Sequence, residues 1–161
     1  MHNTYHFVTH WRVEGTAEAV YDLLDNPPDL VRWWPSVYLA VEELPADAAA
    51  DGTGRVYHLF TKGWLPYRLR WTFRVTEKVR PTRMALEAWG DFVGRGVWTI
   101  RQEGPVVDIT YDWDIVTEKP LLKRLSWLFR PMFEANHRWA MHEGEVSLRR
   151  ELARQQALKP A

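Results

Sequence analysis

The stretch Pro120–Gln156, PLLKRLSWLFRPMFEANHRWAMHEGEVSLRRELARQQ, reads as one long amphipathic helix. Leu122, Phe129, Met132, Phe133, Asn136, Ala140, Gly144, Ser147 and Leu148 project within one broad face, with Arg124, Arg138, Glu145 and Arg149 opposite. A helix of this length, roughly 50 Å at about 1.5 Å per residue, cannot bury its apolar stripe against itself. It must lie across another layer. Two positions on the stripe carry further information. Glycine in a helix interior costs about 1 kcal/mol relative to alanine, so Gly144 predicts a close approach to the layer beneath. Asn136 sits among apolar neighbours, where an unpaired amide would be costly, and predicts either a partner group or a cavity.

The layer beneath is supplied upstream, where apolar and polar residues alternate. Tyr5, Phe7, Thr9, Trp11 and Val13 share one side of a first strand, which Gly15 ends. Thr16 is placed to cap a short helix carrying Ala17, Val20, Tyr21, Leu23 and Leu24, with Glu18 near its positive end. Asn26-Pro27-Pro28 stops that helix, and Asp29–Trp34 forms another short one before Pro35. Strands then follow at Val37–Leu44, Arg55–Lys62, Tyr67–Lys78, Arg83–Gly90 and Val97–Gln102, with Gly94 and Gly96 near the start of the last of these. A final strand turns Val107, Ile109, Tyr111, Trp113 and Ile115 to one side. In Tyr67–Lys78 the residues Tyr67, Leu69, Trp71, Phe73 and Val75 alternate with Arg68, Arg70, Thr72, Arg74 and Thr76, the pattern of a sheet wet on one face only. Short connections predict antiparallel neighbours. The expectation is an α+β fold in one domain over residues 1–157. A curved antiparallel sheet of about seven strands wraps the long C-terminal helix, and residues 158–161 form a fraying tail.

Composition narrows the function. Ten Trp, six Tyr and six Phe exceed what packing a domain of 161 residues requires, and their recurrence at alternating strand positions points to one lined surface. Core packing accounts for part of that set. Lys plus Arg and Asp plus Glu are equal at 21 each, and the arginines are scattered, so no nucleic acid is expected as a partner. The absence of Cys excludes disulfides, thiolate catalysis and Cys-ligated metal. The N-terminus carries no signal-peptide pattern and no apolar run reaches membrane-spanning length, so the expectation is a soluble, cytoplasmic protein without stable membrane insertion.

The order strand, two short helices, six strands, long helix resembles the START-like, helix-grip (SRPBCC) superfamily, in its polyketide cyclase/dehydrase-like or lipid-transport-like branch. Gly15–Val37, GTAEAVYDLLDNPPDLVRWWPSV, looks like the first-helix motif of that family, with Asp25 on the helix and a Trp-x-Pro stop at Trp33-Trp34-Pro35. Phe129–Leu152, FRPMFEANHRWAMHEGEVSLRREL, looks like the ending of many such proteins, with Asn136-His137, Met141, Gly144 and Leu148 in matching places. The resemblance implies a helix-grip fold around a cavity. It does not choose an activity, because the superfamily hosts carriers, receptors and cyclases alike.

The residues that would form such a site are mostly aromatic. Trp71 and Phe73, Trp98, and Tyr111 and Trp113 fall on candidate inner faces of three strands, while Trp34, Trp64 and Trp89 sit near element ends, where a mouth would be. Phe129, Phe133, Asn136 and Ala140 face them from the helix. Large apolar walls with a few polar groups are usual in small-molecule pockets, and Tyr111 and Asn136 would orient a ligand carbonyl or hydroxyl. The expected partner is therefore a hydrophobic small molecule of lipid, isoprenoid or polyketide type. A cyclase using the same cavity would need groups that move protons, and the weak candidates are His137, Tyr111, Asp91 and His58. No base is paired with an orienting acid at a recognisable spacing. His2, His6 and His10 would stand some 13 Å apart along a strand, too far to share a metal whose ligands lie near 2 Å. No metal or cofactor is expected, and nothing in the sequence speaks to oligomeric state.

Overall fold

A computed structural model describes residues 4–118 and 120–160, apart from the side chains of residues 121–123, 125 and 126. Leu122 and His2 therefore lie outside the described groups. The elements are β1 (Thr4–Glu14), α1 (Ala17–Leu24), a 3-10 turn (Pro27–Asp29), α2 (Leu30–Trp33), β2 (Tyr38–Leu44), β3 (Val56–Lys62), β4 (Arg68–Val79), β5 (Arg83–Gly90), β6 (Phe92–Glu103), β7 (Val106–Thr117) and α3 (Pro120–Leu158). The sheet has seven strands in the order β1-β7-β6-β5-β4-β3-β2. Each neighbouring pair is antiparallel, so β2 to β7 form a meander and β1 returns to pair with β7. The two edge strands are consecutive in sequence, and α1 and α2 connect them.

Local chemistry accounts for the junctions. The Thr16 side chain accepts from Ala19 N–H at the start of α1. Gly15 adopts a φ of +148°, which favours glycine. Gln102 of β6 accepts from Ala17 N–H at 2.7 Å and donates to the Gly15 carbonyl at 3.0 Å, tying the start of α1 to the sheet.

The inward faces follow the alternation, with two adjustments besides a register shift in β4 between Val75 and Glu77. First, β6 begins at Phe92 rather than beside Val97, because Gly94 and Gly96 lie within the strand. A Cβ at Gly94 would stand 1.9 Å from the Asp114 carbonyl oxygen, and one at Gly96 would stand 2.4 Å from the Tyr111 hydroxyl. These glycines mark close approach by β7, not a boundary. Second, the register shifts between Tyr38 and Ala40, so Tyr38 joins Val41 against the core although simple alternation sets it opposite.

Helix α3 buries Phe133, Asn136, Met141, Ser147, Leu148 and Leu152. Met132, expected on that face, is 42% exposed. Glu145, expected opposite, is turned toward β1, where its Oε2 accepts from Arg12 N–H at 3.0 Å. Arg149 donates to the Arg12 carbonyl at 2.8 Å, and Arg130 to the Thr4 carbonyl at 2.9 Å. Side chains of the helix thus satisfy backbone groups along an edge strand, which would otherwise be open to pairing. Further along, Glu151 is 4% exposed and accepts from both Arg32 of α2 and Arg154. The hydrogen bonds from Arg154 and Arg32 hold its carboxyl down at about 2, so the stability it lends is complete above the ordinary value of 4.5 and is lost as pH falls toward 2.

Gly144 does mark a close approach, but to α2 rather than to the sheet. A Cβ there would lie 2.3 Å from Cζ2 of Trp34, whose indole rests on the bare helix backbone. An exposed helical glycine is stabilised by replacement with alanine. Here Gly144→Ala should instead destabilise by about 1–3 kcal/mol, as overpacking does, measured by denaturant unfolding. A stabilised variant would contradict this packing.

Candidate functional site

Between the inner sheet face and the helices lie two small hollows. The first, about 80 Å³, is bounded by Leu24, Leu30 and Trp34 on the helical side and by Tyr57, Phe73 and Trp98 on the sheet. The second, about 90 Å³, lies under α3 and is bounded by Phe92, Trp113, Phe133, Asn136, His137 and Ala140. Trp34, Tyr38, Trp71, Tyr111 and Met141 line both, so they form the partition. About 10–15 Å³ admits one water, whereas pockets for drug-sized ligands run to roughly 300–1,000 Å³. Each hollow as it stands thus has room for a few waters and not for such a ligand. A larger groove of about 830 Å³ runs beside the C-terminal half of α3, but it is open, and Arg12, Glu14, Arg149 and Lys159 are among its lining.

The aromatic rings are wall and core at once. Trp98 stacks on Tyr111 at 4.1 Å, Tyr111 on Trp113 at 5.7 Å, and Trp113 meets Trp71 at 5.5 Å. Trp34 is 2% exposed and packs edge-on to both Trp11 and Tyr38. Trp71 is oriented by its Nε1, which donates to Thr61 Oγ1 at 3.2 Å. The open chamber anticipated from the alternating aromatics is therefore divided by ring-to-ring contact.

Two of the aromatics named from sequence face elsewhere. Trp64, in the turn between β3 and β4, is 49% exposed, and Trp89 is 41% exposed. Trp89 is out of phase with the inward Met84 and Ala88, and the Arg74 guanidinium lies 5.9 Å from its ring. Neither lines a hollow. Phe129 is half-buried, one turn before Phe133, and lines neither.

Of the candidate proton carriers, Tyr111 and His137 reach the hollows and His58 and Asp91 do not. His58 lies on the outer face with Nδ1 2.9 Å from Thr72 Oγ1. Asp91 lies in the turn between β5 and β6, where its Oδ2 accepts from Arg70 N–H at 2.9 Å. The Tyr111 hydroxyl has no hydrogen-bond partner among the described residues, and burial raises its pKa well above the ordinary value, with the nearby Tyr38 adding to the shift. His137 stacks on Phe7 at 3.9 Å, and its Nε2 is buried without a partner among the described residues. Burial, reinforced by the charge of Arg138, lowers its pKa to about 4, so the ring is neutral at pH 7.

Asn136 has a partner. Its Oδ1 accepts from Trp64 N–H at 2.9 Å and Leu65 N–H at 3.4 Å, latching the β3–β4 turn to α3. Glycine is required at position 63, where a Cβ would fall 2.0 Å from that oxygen. The amide carbonyl expected to orient a ligand is thus committed to the backbone. Sequence reasoning missed Tyr38 and Tyr57 as lining residues. The bulge that turns Tyr38 inward leaves no mark on the hydrophobic pattern, but the spacing of Met141, four after His137 and eight after Phe133, does place it on their face.

No protein-family model matches the sequence, and no curated protein is similar to it in sequence. Solved structures are similar in fold. The Zhui aromatase/cyclase from Streptomyces sp. R1128 superposes with a TM-score of 0.74 at 17% identity, covering 94% of this chain and 95% of that one. A START superfamily protein from Mycobacterium smegmatis gives 0.69 at 14% identity, covering 93% and 98%. The di-domain ARO/CYC BexL from the BE-7585A biosynthetic pathway gives 0.64 at 14% identity, with 91% of this chain matching 50% of that one. The chain has the START-like helix-grip fold of these structures. Among the described residues, no helix is long and apolar enough to cross a membrane.

The buried histidine gives a test of the site's polarity. The His137 ring should titrate near 4 by NMR, against about 6.5 in the unfolded chain. The stability associated with the neutral ring is then present above 6.5 and lost as pH falls toward 4, a loss that His137→Phe removes. A midpoint of about 6.5 would show the ring to be solvated.

Proposed function

We propose that the protein binds a hydrophobic small molecule of lipid, isoprenoid or polyketide type between α3 and the sheet, by joining the two hollows into one. The observation that carries this reading is the partition itself. Two hollows meet at the same five side chains, two of which, Tyr38 and Tyr111, bring hydroxyls without a hydrogen-bond partner among the described residues. Met141 is unbranched and adaptable, and a shift of its side chain and of Tyr38 would open one space from the other. A ligand carbonyl or hydroxyl would give these hydroxyls a partner, each such hydrogen bond being worth about 1 kcal/mol. The similarity in fold to a START superfamily protein and to aromatase/cyclases supports the same reading.

Titration with a panel of polycyclic, isoprenoid and acyl-chain probes should quench or shift tryptophan emission. Ala140→Phe, which fills the second hollow, should abolish the response while leaving the fold intact by circular dichroism. Tyr111→Phe should weaken carbonyl-bearing probes by about three- to tenfold, the worth of one hydrogen bond, and leave hydrocarbon probes unaffected. Silence across the whole panel would overturn the proposal.

A polyketide cyclase or aromatase is the second reading, favoured by one feature. A neutral His137, its Nε2 without a partner among the described residues, lines the same hollow as Tyr111, so a proton acceptor and a proton donor border one space. An enzyme would lose turnover in His137→Gln with binding retained, whereas a carrier would show a change in affinity alone.

A further inference from the structure

Apart from tyrosine hydroxyls, the polar lining of the first hollow is gathered around Lys78. Strict alternation along β4 would place Lys78 on the wet face. The register shifts between Val75 and Glu77, however, so Lys78 pairs with the inward Met84 and Val79 turns out to solvent. The Lys78 side chain is only 13% exposed, with Nζ 2.9 Å from Asp25 Oδ2 at the end of α1. The same ammonium donates to the Asp51 carbonyl in the β2–β3 loop. Gly52, at a φ of +95°, leaves room for it, since a Cβ there would lie 2.9 Å from Nζ. Arg55 lines the same end and is 3.5 Å from Glu43, which does not line the hollow. The lining thus holds two cations against the single carboxylate of Asp25. An ammonium has three N–H donors, and two of those on Lys78 have partners among the described residues.

We propose that the ligand is an amphipathic acid, its apolar body among the rings and its carboxylate at Lys78 and Arg55. This rests on the binding function proposed above and names the chemical class of its ligand. The anion takes the remaining N–H of Lys78 and a guanidinium N–H of Arg55, which is also held by Tyr57 and Glu43. These are charge-assisted bonds formed at the rim of a low-dielectric space. Asp25 competes for the same ammonium and sets how strongly an incoming acid is held. A neutral alcohol of the same shape can accept a hydrogen bond from either cation but forgoes the ion pairing that a carboxylate gains.

The test uses a matched pair, 2-naphthylacetic acid and 2-(2-naphthyl)ethanol, titrated calorimetrically into the full chain at pH 7.5. The wild type should bind the acid at least about tenfold tighter than the alcohol, the worth of one hydrogen bond to a charged group. Lys78→Gln and Arg55→Gln should each reduce that preference by weakening the acid more than the alcohol, and Lys78→Arg should retain it. Asp25→Asn, which frees the ammonium, should strengthen acid binding, an opposite sign that general destabilisation cannot produce. Equal binding of acid and alcohol by the wild type, or a preference that survives Lys78→Gln in full, overturns the acid specificity alone. Binding of neither probe overturns the specificity together with the function on which it rests.

Discussion

The indole of Trp34 rests on the bare backbone of Gly144, and the placement of α3 over the sheet depends on that contact. Any side chain at 144 would push the helix off α2, because the ring atoms lie within 2.3–2.7 Å of where a Cβ would stand. The same ring packs edge-on to Trp11 of β1 and to Tyr38 of β2, the two edge strands of the sheet. One residue at the end of a four-residue helix thus touches both edges and the helix that spans the space between them. It also lines both hollows, so the contact that closes the fold shapes the site as well.

Around that contact the polar groups divide into two sets with different work. One set secures α3. Glu145 and Arg149 bond the backbone of β1 at Arg12, Glu151 gathers Arg32 and Arg154, and Asn136 holds the β3–β4 turn. Glu145 and Arg149 thus tie the helix to β1, the Arg32–Glu151 pair ties it to α2 and Asn136 to the β3–β4 turn. Arg154 supports Glu151 from within the helix, and a buried carboxylate such as Glu151 persists only because it is paired. The other set faces the hollows: Tyr38, Tyr111 and His137. The first set is hydrogen-bonded and holds the structure together, while the second lines the space where a ligand would sit. Unpaired buried polar atoms are costly, and sites of binding are where that cost is usually recovered.

Much of this was legible from the chain. The strand faces carrying Trp11, Trp71, Phe73, Trp98, Tyr111 and Trp113 follow from alternation, since successive side chains on a strand point to opposite sides. The Thr16 cap and the stop at Pro27 and Pro28 follow from local chemistry. Departures occur where alternation is interrupted or where two elements meet. The shifts at Tyr38–Ala40 and Val75–Glu77 turned Tyr38 and Lys78 inward, and an inserted residue leaves no trace in the hydrophobic pattern. Trp64 and Trp89 look like lining by composition, yet they face outward because of their phase on the chain. Asn136 was marked as needing a partner, but which backbone it would meet depended on how the β3–β4 turn folds back.

The sequence by itself determined the architecture: an unpaired amphipathic rod requires a layer to lie on, and the alternating strands before it supply one with a single apolar face. Only the tertiary structure decided which aromatic rings touch, which polar atoms find partners, and how much space is left over. Those outcomes turn on distances of a few tenths of an ångström between elements far apart in the chain. Periodicity fixes direction within an element and says nothing about separation between elements, so the division of the interior into two hollows around Trp34, Trp71 and Tyr111 belongs to the packed molecule.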